Sequence, residues 1–145
     1  MGTGDRFACG LAATGIVRCW GDNASGQLGN GTTTDSSTPV VVSGISTATQ
    51  IPVGKEHSCA RLNDSTVKCW GNNGTGRLGN GSTLDYSTPF ALSGVTGASS
   101  ISAGWFGTCI GTGPSASCWG GNGKGELGNG STTDSNTAVK VLGTP

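Results

Sequence analysis

Apolar residues fall in short runs along this chain, separated by stretches of Gly, Ser, Thr and Asn. No segment carries a 3.6-residue apolar stripe with caps at its ends, so almost no helix is expected. The runs read as strands. Arg61-Leu62 leads through Asn63-Asp64-Ser65 to Val67-Lys68-Cys69-Trp70, two extended runs around a turn. Ala13-Thr14-Gly15 and Gly113-Pro114 stand at the equivalent turns, a composition suited to hairpins. After the Cys-Trp-Gly strand comes a Gly/Asn-rich loop such as residues 71–81. Thr38-Pro39-Val40-Val41-Val42 and Thr88-Pro89-Phe90-Ala91-Leu92 then read as a third strand. Thr49 to Val53 and Ser99 to Ala103 read as a fourth.

These runs repeat. Cys9, Cys59 and Cys109 are spaced by 50 and 50, and Cys19, Cys69 and Cys118 by 50 and 49. Each of the latter heads a Cys-Trp-Gly triplet containing Trp20, Trp70 or Trp119. Leu-Gly-Asn-Gly recurs with Gly29, Gly79 and Gly128 as its first glycine. Residues 1–145 are one repeat domain of three units, approximately 4–53, 54–103 and 104–145. Four short strands per unit is the content of one propeller blade. The expected fold is all-β: three four-stranded β-propeller blades. The fourth-strand segment has no full copy before Gly4 or after Gly143, so three blades less one strand are expected. Propellers have about 4–8 blades, and three cannot close. The chain is then part of a longer propeller, half of a ring built from two copies, or an open-ended unit adding head to tail into a fibre.

Composition narrows the function classes. Of 145 residues, 28 are Gly and only 33% are apolar, but Gly lacks the period of collagen. Eight basic residues balance eight acidic ones, leaving no electrostatic footprint for nucleic acid. No apolar run approaches the ~20 residues of a membrane-spanning helix, so no membrane insertion is expected. Asp5 and Arg6 follow Met1-Gly2-Thr3-Gly4 with no basic segment leading into an apolar stretch, and no secretory signal is visible.

The cysteines point outward from the cell all the same. Cys9/Cys19, Cys59/Cys69 and Cys109/Cys118 lie symmetrically about their hairpin turns, on facing strands. Directly opposed residues at a non-hydrogen-bonded position have Cα atoms roughly 4.5 Å apart, within disulfide reach. Three intra-blade disulfides are expected. Spacings of 9 and 10 do not suit a zinc cluster. Disulfides imply an oxidising compartment, hence a secreted or cell-surface protein.

Other candidate chemistry dissolves on inspection. His57 is the only histidine, and Phe7 and Gly107 replace it elsewhere, so neither a triad nor a two-His metal centre can form. Gly74 to Gly79 and Gly123 to Gly128 match G-x-G-x-x-G, but in a repeated loop rather than at a helix start. Asp35, Asp85 and Asp134 recur at one loop position and read as loop caps. Asn-x-Ser/Thr triplets begin at Asn23, Asn30, Asn63, Asn73, Asn80 and Asn129; in such a chain they read first as turn chemistry. No catalytic residue, cofactor or metal ligand is assigned. Trp20, Trp70 and Trp119 read as packing residues between blades. Trp105 and Phe106 stand where the other units have Asp5-Arg6 and Lys55-Glu56, and Tyr86 stands where they have Ser36 and Ser135. Positions that vary among matched units are free of repeat packing, so these three aromatics are the candidate partner or subunit contacts; the alternative for Trp105 is that it covers the open edge of the incomplete ring.

Gly54 through His57-Ser58-Cys59-Ala60, Val67 to Gly71, and Gly76-Arg77-Leu78-Gly79 together resemble the regulator of chromosome condensation repeat. The resemblance covers the whole chain and implies a β-propeller, commonly of seven blades, with His57 hydrogen-bonded within its sheet. The paired cysteines and long Asn-Gly loops are similar to versions in secreted bacterial proteins. Among the implied activities are protein binding, as in the secreted bacterial propeller that inhibits β-lactamases, and nucleotide exchange on a small GTPase. The latter depends on loops not matched here. The expected function is a non-catalytic, exported propeller segment that contacts a protein partner or copies of itself.

Overall fold

The computed structural model describes residues 1–144; Pro145, the last residue of the third unit, lies outside them. The described chain has no helix. It forms three antiparallel four-stranded sheets. The first contains β1 (Gly2–Thr3), β2 (Phe7–Leu11), β3 (Val17–Gly21) and β4 (Ser36–Val41). The second contains β5 (Ala48–Gln50), β6 (His57–Leu62), β7 (Val67–Gly71) and β8 (Tyr86–Ala91). The third contains β9 (Ser100–Ala103), β10 (Gly107–Thr112), β11 (Ser115–Gly120) and β12 (Ser135–Lys140). Each sheet is ordered as the chain runs.

Sequence unit and sheet are out of phase by one strand. The segment read as the fourth strand of one unit pairs with the hairpin of the next: β5 lies against β6 and β9 against β10. The second and third sheets are thereby each tied covalently to the sheet before through their first strands. The strand expected to be missing is present in short form. Gly2 and Thr3 pair with Cys9 and Ala8, a two-residue β1 too brief to leave an apolar signature.

The expected hairpins register cysteine on cysteine: Cys9↔Cys19, Cys59↔Cys69 and Cys109↔Cys118. All three pairs are disulfides, with Cα–Cα separations of 4.1, 4.0 and 4.1 Å. The core lies between sheets. One cluster joins Phe7, Cys9, Val17, Leu28 and Val42 of the first sheet to Trp70 of the second. The other joins Cys59, Val67, Leu78 and Leu92 to Ile110 and Trp119 of the third. A chain with so little apolar material buries it by stacking thin sheets face to face.

Candidate functional site

Two structural levels meet at the site: a repeated junction between sheets, and a variable loop seated on it. At each junction the tryptophan of one sheet reaches back to the Leu-Gly loop of the sheet before. Trp70 Nε1 donates to Gln27 O at 3.0 Å, and Trp119 Nε1 donates to Arg77 O at 2.9 Å. Gly29 and Gly79 have φ of 66° and 72°, in the left-handed region. A Cβ on either would stand 2.7 Å from the indole nitrogen, so glycine is required for both conformation and space. Further hydrogen bonds run from Gly31 N to Ser87 O and from Gly81 N to Asn136 O. Trp70 and Trp119 are wholly buried, while Trp20, with no described sheet before it, is half-buried. Gly128 repeats the backbone conformation (φ 61°) but meets only Val141.

The loops that open each hairpin stack into a column. A Cβ on Gly4 would approach Gly54 O, and one on Gly54 would approach Gly104 O. Asp5 N donates to Lys55 O at 2.9 Å. The glycines let three backbones touch, which projects the next two side chains of each loop: Asp5-Arg6, Lys55-Glu56 and Trp105-Phe106. Trp105 is 69% exposed and Phe106 45%. Their rings meet edge to face at a centroid distance of 6.3 Å. Lys55 Nζ sits 5.5 Å from the Trp105 ring and 5.9 Å from that of Phe106. A cleft of about 360 Å³ crosses the column, lined by Asp5, Val53, Lys55 and Trp105. Another, of about 370 Å³, lies on the far side of the aromatic pair, against Cys109, Glu126 and Leu127.

Arg77 holds this loop from beneath, a role that the sequence reading missed. It is 5% exposed, with Nη1 3.4 Å from Trp105 O and 4.0 Å from Glu56 Oε2. Its guanidinium carbon lies 5.4 Å from the Phe106 ring centre. Burial lowers its pKa, opposed by the charges of Glu56 and Asp85. Gln27 and Glu126 occupy the equivalent positions; that variation just ahead of a constant Leu-Gly was the available signal.

His57 is sealed inside the fold. Its ring lies across Gly54, and it is fully buried. Thr108 Oγ1 donates to Arg77 O at 3.0 Å, so the 2.9 Å contact between His57 Nε2 and Thr108 Oγ1 makes Nε2 the donor and Nδ1 the unprotonated nitrogen. Nδ1 has no partner. Burial first, and the Arg77 charge second, push the His57 pKa down to about 3. The bond joins two sheets rather than lying within one, which corrects the expectation for this residue.

Tyr86 lies apart from the aromatic pair. It opens β8, half-buried, with its ring edge-on to Phe90 at 5.1 Å. Asp35, Asp85 and Asp134 cap their loops, accepting from Asn23 N, Asn73 N and Asn122 N at 2.8, 2.7 and 2.8 Å. No group of His, Cys, Asp and Glu suited to a metal ion occurs among the described residues.

Stacked four-stranded antiparallel sheets, each pinned by a tryptophan to the loop of the sheet before, define a propeller-type blade array. The chain belongs to the regulator of chromosome condensation (RCC1) repeat family, whose repeat matches residues 14–61 and 65–110; a second form of the repeat matches residues 48–77. Among solved structures it is similar to human WBSCR16, with 24% identity and a TM-score of 0.84 over 97% of this chain and 36% of that one. It is also similar to yeast RCC1 (Prp20) in a structure with Kap60 bound, with 21% identity and a TM-score of 0.79 over 98% of this chain and 37% of that one. The ectodomain of the Physcomitrella patens receptor kinase CR4 is 27% identical, with a TM-score of 0.52 over 83% of this chain and 28% of that one. The chain thus spans between 28% and 37% of the length of these relatives. No curated protein matches it.

Proposed function

We propose that this chain is a non-catalytic protein-docking module, exported to an oxidising compartment, with Trp105 and Phe106 as its contact residues. The supporting observation is the aromatic pair itself. It is exposed, with Lys55 Nζ within cation–π range of both rings and the Arg77 guanidinium within range of Phe106. Exposed aromatics, tryptophan above all, are frequent anchors of protein interfaces. Tyr86, on a different part of the surface, is a second candidate contact. The three disulfides support export. Yeast RCC1 is described bound to Kap60, and a second yeast structure is described with binding to Gsp1p and histones; those partners are properties of the whole proteins. Capture of a stoichiometric partner from the extracellular fraction of the source, lost with Trp105→Ala and Phe106→Ala, is the expected result. Equal capture by the wild type and both variants overturns the reading. Six free thiols in protein isolated without reductant overturn its export.

A second reading, head-to-tail association of copies, has its own support. Trp20 Nε1 of the first unit, and Glu126 O and Gly130 N of the third, are the counterparts of groups that pair at both internal junctions, and they have no partner among the described residues. A second copy would bring such a donor to such an acceptor. A mass in solution above that of the monomer, reduced to the monomer by Trp20→Ala, is expected on this reading; a monodisperse wild-type monomer removes it.

A further inference from the structure

Six asparagines begin Asn-x-Ser/Thr triplets, and folding treats them unequally. Asn23 is wholly buried: its Nδ2 lies within donating distance of Asn30 Oδ1, Thr32 O, Thr32 Oγ1 and Thr34 O, while its Oδ1 accepts from Leu28 N. Asn73 repeats this cage with Asn80 Oδ1, Ser82 O and Leu84 O, and accepts from Leu78 N. Asn30, Asn80 and Asn129 form the other wall of the same cage. Their Oδ1 atoms accept both from the caged asparagine and from the backbone two residues on. The hydroxyls of Ser82 and Ser131 in turn accept from Leu84 N and Thr133 N. A sugar on Asn23 or Asn73 would have to leave through the core. Asn80 Nδ2 is itself buried, and a sugar on the half-buried Asn30 or Asn129, whose Oδ1 atoms hold the cage, would crowd its wall.

Asn63 is placed differently. It lies on the β6–β7 turn, exposed, and its side chain makes no hydrogen bond among the described residues, while Ser65 Oγ accepts from Arg61 Nη2 at 3.3 Å. The turn is satisfied without it. Asn63 N donates to Thr47 O, Ser65 N to Leu62 O, and Asp64 Oδ1 accepts from Thr66 N and Thr66 Oγ1. The other two hairpin turns, Ala13-Thr14-Gly15 and Gly113-Pro114, contain no asparagine.

We propose that Asn63 is the N-glycan acceptor of this chain, loaded on passage through a glycosylating secretory route. The donor class is a lipid pyrophosphate-linked oligosaccharide. Asn63 Nδ2 forms the bond to the sugar C1, the C1–O bond to the pyrophosphate breaks, the lipid pyrophosphate leaves with the bonding pair, and Nδ2 gives up one proton. Ser65 supplies the hydroxyl of the acceptor triplet. Asn63 follows the end of β6, and Lys55, which packs on Trp105, precedes its start, so the glycan sits at the other end of the strand from the Trp105 loop.

The test expresses the full chain through a eukaryotic secretory route and analyses both the secreted and the microsomal protein. Peptide-N-glycosidase treatment in heavy-oxygen water followed by peptide mapping is expected to convert Asn63, and no other residue, to labelled Asp. Asn63→Gln and Ser65→Ala each abolish the enzyme-sensitive mass difference, and Asn63→Gln stays folded by circular dichroism. No occupancy at Asn63 in either fraction overturns the proposal. So does occupancy of a cage asparagine in folded secreted protein.

Discussion

The junction loop at Gly79 and the column loop at Trp105 lie on either side of one side chain, Arg77, yet obey opposite rules. At the junction the units agree: glycine, left-handed backbone, an indole pressed on it and donating to the carbonyl two residues earlier. In the column they agree only on the glycine that lets backbones touch, and differ in what is projected. Repetition here marks the backbone contact between sheets; variation marks what each unit adds, whether a buried cross-sheet contact, as at His57 and Arg77, or an exposed side chain, as at Trp105 and Phe106. A backbone that must touch the next blade has one solution; the side chains around it have many.

Acid is expected to strike the junction hardest. The unfolded chain takes up a proton on His57 near pH 6.5, whereas the fold resists until about pH 3. Below 6.5 the unfolded state therefore binds more protons, and stability falls with pH, by about 4–5 kcal/mol at the lower limit. His57→Phe, the residue found at position 7, should flatten that slope in denaturation curves taken across this range. An unchanged slope would mean that His57 is not the group responsible.

Gly79→Ala comes next, at about 2–4 kcal/mol, combining left-handed strain with a collision against Trp119. Gly94 separates the two causes. Its φ is 78°, but a Cβ there would meet nothing within 4 Å, so Gly94→Ala should cost only about 1 kcal/mol. Equal midpoint shifts in urea would remove the packing half of the argument. Replacing Cys59 and Cys69 together by Ala should cost about 2–3 kcal/mol through the reopened loop, read from the same unfolding curves. Trp105→Ala is the smallest: within about 0.5 kcal/mol, as for a surface residue, while partner capture is lost. A large loss of stability there would make Trp105 a packing residue and erase the contrast between the two loops.

Much of this was legible along the chain. The cysteine pairs straddle turns, and pairing follows because antiparallel strands set residues equidistant from a turn opposite each other. Asp35, Asp85 and Asp134 recur where a backbone N–H needs a cap. Variation at position 77 marks the residue but not its role, because that role comes from three partners brought together by stacking: Glu56, Trp105 O and Phe106. The short β1 escaped notice because two residues, one of them Gly, carry no periodicity.

The content of each sheet is written locally: strand-forming runs, turns, disulfides and the glycines that recur with them, all encoded within about 50 residues of one another. Which sheet receives each strand is settled only in three dimensions. The run at 48–50 looks the same whether it closes one sheet or opens the next, since a strand's hydrogen bonds do not depend on its own side chains alone. Stacking decides, because the apolar faces of neighbouring sheets must meet. That same stacking buries His57 and Arg77 and leaves Trp105, Phe106 and Asn63 to the solvent.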